Sequence, residues 1–330
     1  MERGDIGANI SADVPRNDSN EGWSISANLV GDHDWTKLSL LLYSGDASEI
    51  KVSFNYGFFG NTCTGKLYFD DISFEEHTFP STSEWKMLFV ILPNSEISLT
   101  DVNGNEYIGR DGVSAQEIKD IQETVQLFKE DALEDSDGKL QINAEIKIID
   151  KPITKKRHIG DENLGPTLYT EDAYEIIKDE VDIDEYDYIT VFGNLNLPNT
   201  AYYALSFFVV SFLPFYQGTG YTIVNTQIGD FSENTEWRPA LLLHEFLHYM
   251  EDWCRMLNQE LPSGIIDHAQ DYGYEQNEGP YKERRKFYID VMNQNVLLEN
   301  GEKVGIPDAV WKVTPKEFRF TRVNILYEEE

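Results

Sequence analysis

The pattern His-Glu-x-x-His at residues 244–248 constrains this chain more than any other feature. Residues four apart lie one above the other on a helix, so His244 and His248 can point at a single ion. Two neutral imidazoles suit zinc, and Glu245 is placed to take a proton from a water molecule that the metal polarises. The alternative is a pair of surface histidines on an acidic helix. The pattern favours a zinc site.

The residues around the motif predict a buried helix. It should begin near Asn234 or Thr235, which are suitable N-caps, and it should end before Pro262. Polar side chains on a buried helix need partners, and a metal at one edge of the apolar face would supply them. That apolar face is wide and consists of Leu243, Phe246, Leu247, Met250, Trp253 and Leu257.

The motif supplies two ligands, whereas zinc in catalytic sites takes three protein ligands and a water molecule. We predict His268 as the third ligand, because it follows His248 by 20 residues, which lets the chain finish the helix and return. Asp271 and Glu275 are the alternatives, and an ordinary loop histidine is the other interpretation of His268.

Further polar residues near the motif have candidate supporting roles. Asp267 or Asp271 could hold a histidine ring by its free N–H, and so could Glu251, which lies about one turn beyond the motif. Tyr272 and Tyr274 are the candidate catalytic donors to the oxyanion that forms when water attacks a carbonyl group.

The charge of the chain excludes some partners. Its formal net charge is -32, and so acidic a surface repels phosphate backbones and anionic membranes, which argues against a nucleic-acid partner. The longest apolar run, residues 205–216, contains Pro214 and is too short to span a bilayer. Cys63 and Cys254 form no disulfide framework. No apolar segment follows residues 1–5, so we do not expect these residues to be a signal peptide.

The pattern of the chain changes near residue 78. Residues 1–78 contain alternating stretches at 23–29, 37–43, 50–56 and 66–69 separated by polar turns, which predicts a β-sandwich. Residues 79–330 alternate strands with helices: a strand at 85–92, a helix opened by a capping box at Ser114, then strands at 140–148, 186–192 and 221–228 before the motif helix. This order predicts an α/β (α+β) layer arrangement.

The N-terminal part resembles a known type of module. Residues 33–38 and the run Gly65-x-x-x-Phe69-Asp70-Asp71 resemble the C-terminal half of the jelly-roll carbohydrate-binding modules of bacterial glycan-active proteins. The resemblance implies a partial β-sandwich whose first strands precede this chain, with glycan as a partner. The same aromatic residues could instead form the core of the sandwich. These are Trp23, Trp35, Tyr56 and Phe58.

The motif, preceded by a strand and a mixed sheet, resembles the zincin metallopeptidases, and the whole chain is similar to secreted bacterial zincins with sugar-binding modules. The resemblance implies a twisted sheet, a backing helix, an active-site helix and a substrate-binding edge strand at residues 221–228. It also implies that His244 and His248 bind Zn²⁺ and that Glu245 acts as general base in the hydrolysis of a protein or glycoprotein. The enzyme would be secreted or lie at the cell surface.

The sequence departs from the two best-known zincin patterns. Glu251 and Cys254 stand where metzincins have glycine and a third histidine, and His268 stands near where thermolysin-like enzymes have glutamate. A second hypothesis is therefore a glycan-binding or adhesion protein whose zincin domain is inactive or structural. A third is a zinc hydrolase of another amide or ester. Glu245 favours an enzyme, because a structural zinc site has no use for that carboxylate.

Overall fold

The structure is a computed structural model. It describes residues 8–14, 22–25, 29, 32, 34–38, 44, 48–56, 65–76, 83–100, 106–154, 157–158, 166–167, 170–194, 204–208, 219–226, 237–257, 259, 261–274 and 282–316. The first half of these contains β1 (Ala8–Val14), β2 (Gly22–Ile25), β3 (Lys51–Tyr56), β4 (Glu84–Leu92), β5 (Asn94–Thr100), β6 (Glu106–Gly112), α1 (Ala115–Asp135), β7 (Gln141–Ile148), β8 (Arg157–His158) and β9 (Pro166–Thr167). The second half contains α2 (Thr170–Ile177), β10 (Tyr188–Gly193), β11 (Ala204–Phe208), β12 (Gly220–Asn225), α3 (Trp237–Met256), α4 (Lys282–Met292), β13 (Val296–Leu297), β14 (Lys303–Val304) and α5 (Asp308–Trp311).

The central element is a five-stranded sheet with the order β11-β12-β10-β4-β7. Strands β12, β10, β4 and β7 are parallel, and β11 pairs with β12 in the antiparallel direction. Every residue of β10 and β12 is buried, as expected for strands covered on both faces. The predicted α/β class is therefore confirmed.

The predicted edge strand is wrong. The sequence predicts residues 221–228 at the edge, but β12 lies between β10 and β11, so β11 is the outermost strand among the described residues. The pairing of β12 with β10 on one side and with β11 on the other gives it this inner position. A run that is apolar throughout does not reveal which of two adjacent strands is outermost.

Helices cover both faces of the sheet. The alternation of β4 divides its side chains between two cores: Trp85, Met87 and Phe89 pack with α1 and α3, whereas Leu88 and Val90 pack with α2. The predicted capping box opens α1. The Ser114 side chain accepts a hydrogen bond from the Glu117 amide at 3.2 Å, and the Glu117 carboxylate accepts one from the Ser114 amide at 2.7 Å.

Helix α4 is held against α1 by a buried ion pair. The Arg285 guanidinium donates to both carboxylate oxygens of Asp135 at 2.8–3.0 Å and lies 3.1 Å from Asp131. The side chain of Asp135 is only 2% exposed. The sequence predicts an ordinary surface charge at Arg285, and this is wrong, because its partners lie 150 residues earlier in the chain.

The end of the described chain, residues 311–316, joins the sheet to α3. The indole N–H of Trp85 donates to the Trp311 carbonyl at 3.1 Å, and the Trp253 indole donates to the Val313 carbonyl at 3.0 Å. The Asp187 carboxylate accepts the amides of Lys86 and Lys316 at 2.8 and 2.6 Å. This C-terminal segment thereby fixes the start of β4 and the last turns of α3.

The N-terminal residues form a separate three-stranded antiparallel sheet with the order β2-β1-β3. Strand β3 falls within the predicted stretch 50–56, β2 overlaps the predicted stretch 23–29 at residues 23–25, and β1 is not predicted by the sequence. The strand predicted at 66–69 is wrong, because residues 66–76 have no strand pairing and most are exposed. Residues 39–43 of the stretch 37–43 lie outside the described residues. The sequence also predicts a last strand at residues 318–325, and these residues lie outside the described ones as well.

Candidate metal centre

Helix α3 carries the His-Glu-x-x-His pattern, and its apolar face is buried as predicted. Phe246 makes edge-on ring contacts with Tyr188 and Trp85, with ring centroids 5.1 and 5.7 Å apart. Pro239 stands early in the helix, where the missing N–H costs nothing. The packing fixes the rotation of α3 about its axis, and it leaves His244 and His248 partly exposed at one edge.

The two imidazole rings converge on one point. The Nε2 atoms of His244 and His248 lie 3.2 Å apart. Each Nδ1 atom has its own partner: the Tyr288 hydroxyl lies 2.7 Å from His244, and a Glu251 carboxylate oxygen lies 3.4 Å from His248. A carboxylate can only accept, so Nδ1 of His248 carries a proton and the Nε2 lone pair of the neutral ring is directed at the point shared with His244.

Asp267 is the third group at this point. Its Oδ1 atom lies 3.5 Å from Nε2 of His248 and 3.9 Å from Nε2 of His244, and the three ligand atoms lie within 4.8 Å of one another. Asp267 ends a short 3-10 turn, Ile265–Asp267, that begins after Gly264. Gly264 has φ 71°, a left-handed conformation that glycine adopts without a steric penalty.

These distances fit a tetrahedral zinc ion. Two nitrogens bound to one zinc at about 2.0–2.1 Å lie roughly 3.3 Å apart, which matches the separation of the two Nε2 atoms. A carboxylate ligand requires a similar spacing, so the 3.5 and 3.9 Å separations need only a small closure. Two histidines and one carboxylate form a donor set that catalytic zinc uses.

The surroundings of His248 favour a positive charge. Burial alone lowers its pKa, but the hydrogen bond to Glu251 and the charges of Asp267 and Glu245 outweigh burial, so the pKa of His248 is raised. Glu245 itself is buried. It follows His244 directly on the helix, so its carboxylate is carried on the same element as both imidazoles. The field at the three donor atoms therefore suits a cation.

The predicted third ligand, His268, lies outside this group of three. Its side chain is 55% exposed, and its Nδ1 atom lies 3.6 Å from Asp271. Among the described residues, the only group of three or more His, Cys, Asp or Glu side chains with this spacing is His244, His248 and Asp267. Glu275 lies outside the described residues. Asp267, which directly precedes His268, is therefore the residue that lies close to the two motif histidines.

The two tyrosines predicted as oxyanion donors pack against α4. The Tyr274 hydroxyl donates to Asp290 at 2.7 Å, and burial followed by this hydrogen bond raises the pKa of Tyr274. The Tyr272 ring stacks on Phe287, with centroids 6.3 Å apart. Burial raises the pKa of Tyr272 as well. In the part of the chain that the structure describes, neither hydroxyl is hydrogen-bonded to the three candidate ligands.

Sequence reasoning missed two members of this site. Tyr288 falls in a helix whose spacing indicates packing, and nothing in that pattern marks its hydroxyl as a partner of His244. The sequence predicts Asp267 only as an acceptor for a histidine ring, and its position next to His268 is the signal that could have identified it as a ligand.

Comparisons of the chain with protein-family models, curated proteins and solved structures gave no significant match. No described helix has the length and apolar character needed to cross a membrane. What the structure establishes is an α/β fold with a mostly parallel sheet and a candidate metal centre formed by two histidines and one aspartate at the edge of α3.

Proposed function

We propose that the protein is a zinc-dependent endopeptidase, secreted or held at the cell surface, with His244, His248 and Asp267 as the metal ligands. The observation that carries the proposal is the convergence of these three donors, two of which lie on the helix that also carries the buried Glu245. A zinc ion bound there would polarise both a water molecule and the carbonyl group of a substrate.

Glu245 is the proposed general base. A carboxylate beside a metal site can take a proton from the attacking water and deliver it to the leaving amine. Its burial keeps it away from bulk water, where proton transfer would be less directed. A zinc site with a purely structural role would have no need of this group, so Glu245 separates the enzyme from the structural alternative.

The sheet offers a place for an extended peptide. Strand β11 is the outermost strand of the central sheet among the described residues, and α3 packs beside it. The outer N–H and C=O groups of an edge strand can pair with an extended chain. A substrate bound along β11 would lie close to the motif helix, which supports peptide hydrolysis over hydrolysis of a small ester.

The test is zinc content and proteolysis, measured on wild type and on Glu245→Gln with an unfolded protein as substrate. The proposal expects about one zinc per chain in both proteins, with cleavage by wild type and a loss of at least about 100-fold in the variant. His248→Ala should lose the zinc. Zinc with no cleavage of any peptide would support the structural alternative. Iron in place of zinc would contradict the proposal, because two histidines and a carboxylate also bind iron(II) in oxygenases.

One observation favours a second candidate function, glycan binding by the N-terminal sheet region. Trp35 and Tyr56 are 75% and 42% exposed, so in the described residues they do not form a sandwich core. Exposed aromatic rings are the platforms that sugars stack on. Retention of the protein on insoluble polysaccharides, compared between wild type and Trp35→Ala, tests this function independently of proteolysis. Equal retention of the two proteins would exclude Trp35 from it. Trp23 and Phe58 lie among the side chains that the structure does not describe.

A further inference from the structure

Glu251 contacts two parts of the candidate metal centre at once. One oxygen of its carboxylate, Oε2, lies 3.4 Å from Nδ1 of His248, one turn earlier on α3. The other oxygen, Oε1, accepts a hydrogen bond of 3.3 Å from the backbone amide of Ile266. Ile266 directly precedes Asp267 in the 3-10 turn, so the two oxygens of one carboxylate contact a metal-ligand ring and the turn that carries another ligand.

The contact is shielded from solvent. The side chain of Glu251 is only 12% exposed. The chain has a large excess of acidic residues, and acidic side chains are rarely buried unless they have partners. Burial of a carboxylate is costly unless its oxygens accept hydrogen bonds, and the two donors supplied by His248 and Ile266 meet that need.

We propose that Glu251 is a positioning residue that sets the distance between the second metal ligand on α3 and the third ligand on the turn. It fixes the ring of His248 with Nε2 towards the metal, and it holds the Ile265–Asp267 turn against the helix. The inference rests on the proposed metal site, and it adds the side chain that connects helix α3 with the Ile265–Asp267 turn.

The chemistry of the side chain explains why a glutamate is required. Both of its partners are N–H donors, so the residue must present two acceptors. Glutamine presents one acceptor and one NH₂ group, so it can satisfy either His248 or Ile266 but faces the other with a donor. Aspartate has two acceptors but is shorter by one methylene, which places its oxygens out of reach of at least one partner. Glutamine should therefore retain part of the function, and alanine none.

Zinc affinity, measured by competition with a chromophoric chelator, tests the proposal on Glu251→Gln and Glu251→Ala. Removing a residue that orients a metal ligand typically weakens metal binding by about 10–100-fold. We expect a loss near the top of that range for alanine and a smaller loss for glutamine. Asp252→Asn is the matched control, since it removes one negative charge at the next position, where the side chain pairs with Arg255. The control should change zinc affinity by less than about 3-fold.

A second readout separates positioning from folding. The visible spectrum of the cobalt-substituted protein reports the geometry of the ligands, and the Glu251 variants should change it while the Asp252→Asn spectrum remains that of wild type. Thermal unfolding of the metal-free proteins identifies any variant that does not fold. If Glu251→Ala does not fold, Glu251→Gln still tests the inference, because glutamine keeps the size of the side chain and one of its hydrogen bonds. Folded Glu251 variants with wild-type zinc affinity and spectrum would overturn the inference alone. Wild-type protein that binds no zinc would overturn the metal site and this inference with it.

Discussion

Replacement of Arg285 by methionine should destabilise the protein strongly, although the position looks like a surface charge in the sequence. The guanidinium lies 2.8–3.0 Å from both oxygens of Asp135, whose side chain is 2% exposed. At about 3 Å and an effective dielectric constant near 20, the attraction between the two charges is roughly 5–6 kcal/mol before the cost of desolvation.

The net effect of the substitution is smaller than that attraction. Breaking a buried pair by removing one partner costs about 3–5 kcal/mol, because the remaining charge stays buried. Arg285 is itself 28% exposed, which places the expected loss near the lower end, about 3 kcal/mol. Each kcal/mol shifts the melting temperature of a domain of this size by about 2–4 °C, so we expect a drop of roughly 6–12 °C.

The loss should also depend on pH. Burial raises the pKa of Asp135, and the hydrogen bond and charge of Arg285 oppose this rise. Without Arg285 the folded-state pKa is higher still. A carboxyl group whose pKa is higher in the folded state than in the unfolded state stabilises the folded state below the unfolded pKa, which is near 3.9. This stabilisation is lost as the pH rises through the pKa of the folded state. The deficit of Arg285→Met relative to wild type should therefore be largest at pH 7 and shrink towards pH 4.

The assay is urea unfolding at several pH values, with Lys286→Met as control. Lys286 is the exposed neighbour of Arg285, and its replacement should cost less than about 0.5 kcal/mol. The double variant Arg285→Met with Asp135→Asn removes both charges and should recover most of the loss. A loss below about 1 kcal/mol for Arg285→Met, or one that does not change with pH, would refute the buried ion pair.

Four further variants test other parts of the structure. Asp267→Asn should weaken zinc binding by at least about 100-fold, whereas His268→Ala should change it by less than about 3-fold, because Asp267 and not His268 faces the two imidazoles. If a zinc titration gave the opposite ranking, His268 would be the ligand. Gly220→Ala should lower the free energy of unfolding, measured in urea, by at least about 1–3 kcal/mol, because the added Cβ would overlap the ring of Tyr188 and lie 2.7 Å from that of Tyr249. A variant as stable as wild type would contradict the register of β12. Tyr274→Phe should lose about 1 kcal/mol of stability with its hydrogen bond to Asp290, and peptidase activity should stay within about 3-fold of wild type. A fall in turnover of about 100-fold would instead identify Tyr274 as the oxyanion donor.

The elements with strong local signals could be predicted from the sequence. Strand β4 is a continuous apolar run, α1 begins at its capping box, and the buried face of α3 follows the helical repeat. In each case the signal lies within one element, so neighbouring residues carry all the information that the prediction needs. The pairing of the His244 and His248 imidazoles could be predicted for the same reason, because both residues lie on one helix.

The parts that sequence reasoning missed depend on distant partners or on the geometry of a turn. Whether Asp267 or His268 faces the motif is decided by the left-handed Gly264 and the tight turn after it, and a shift of one residue reverses the answer. Arg285 looks solvated because its partner is 150 residues away. Among the described strands, the outermost position of β11 depends on the pairing order of the sheet, which the composition of a strand does not encode.

The C-terminal segment has a consequence for the order in which the molecule is made. Its carbonyls bond with Ser83 and Trp85, which precede it by 229 and 226 residues, and its Val313 carbonyl holds the indole at the end of the motif helix. Ribosomes add about 5–20 residues per second, so the first strand of the sheet waits roughly 10–45 s for these partners. The motif helix is made later in that interval, and it lacks its final anchor until Val313 has been added. The candidate metal centre should therefore form only after translation of this segment, and a nascent chain that ends before residue 316 should hold zinc more weakly than one that includes the segment.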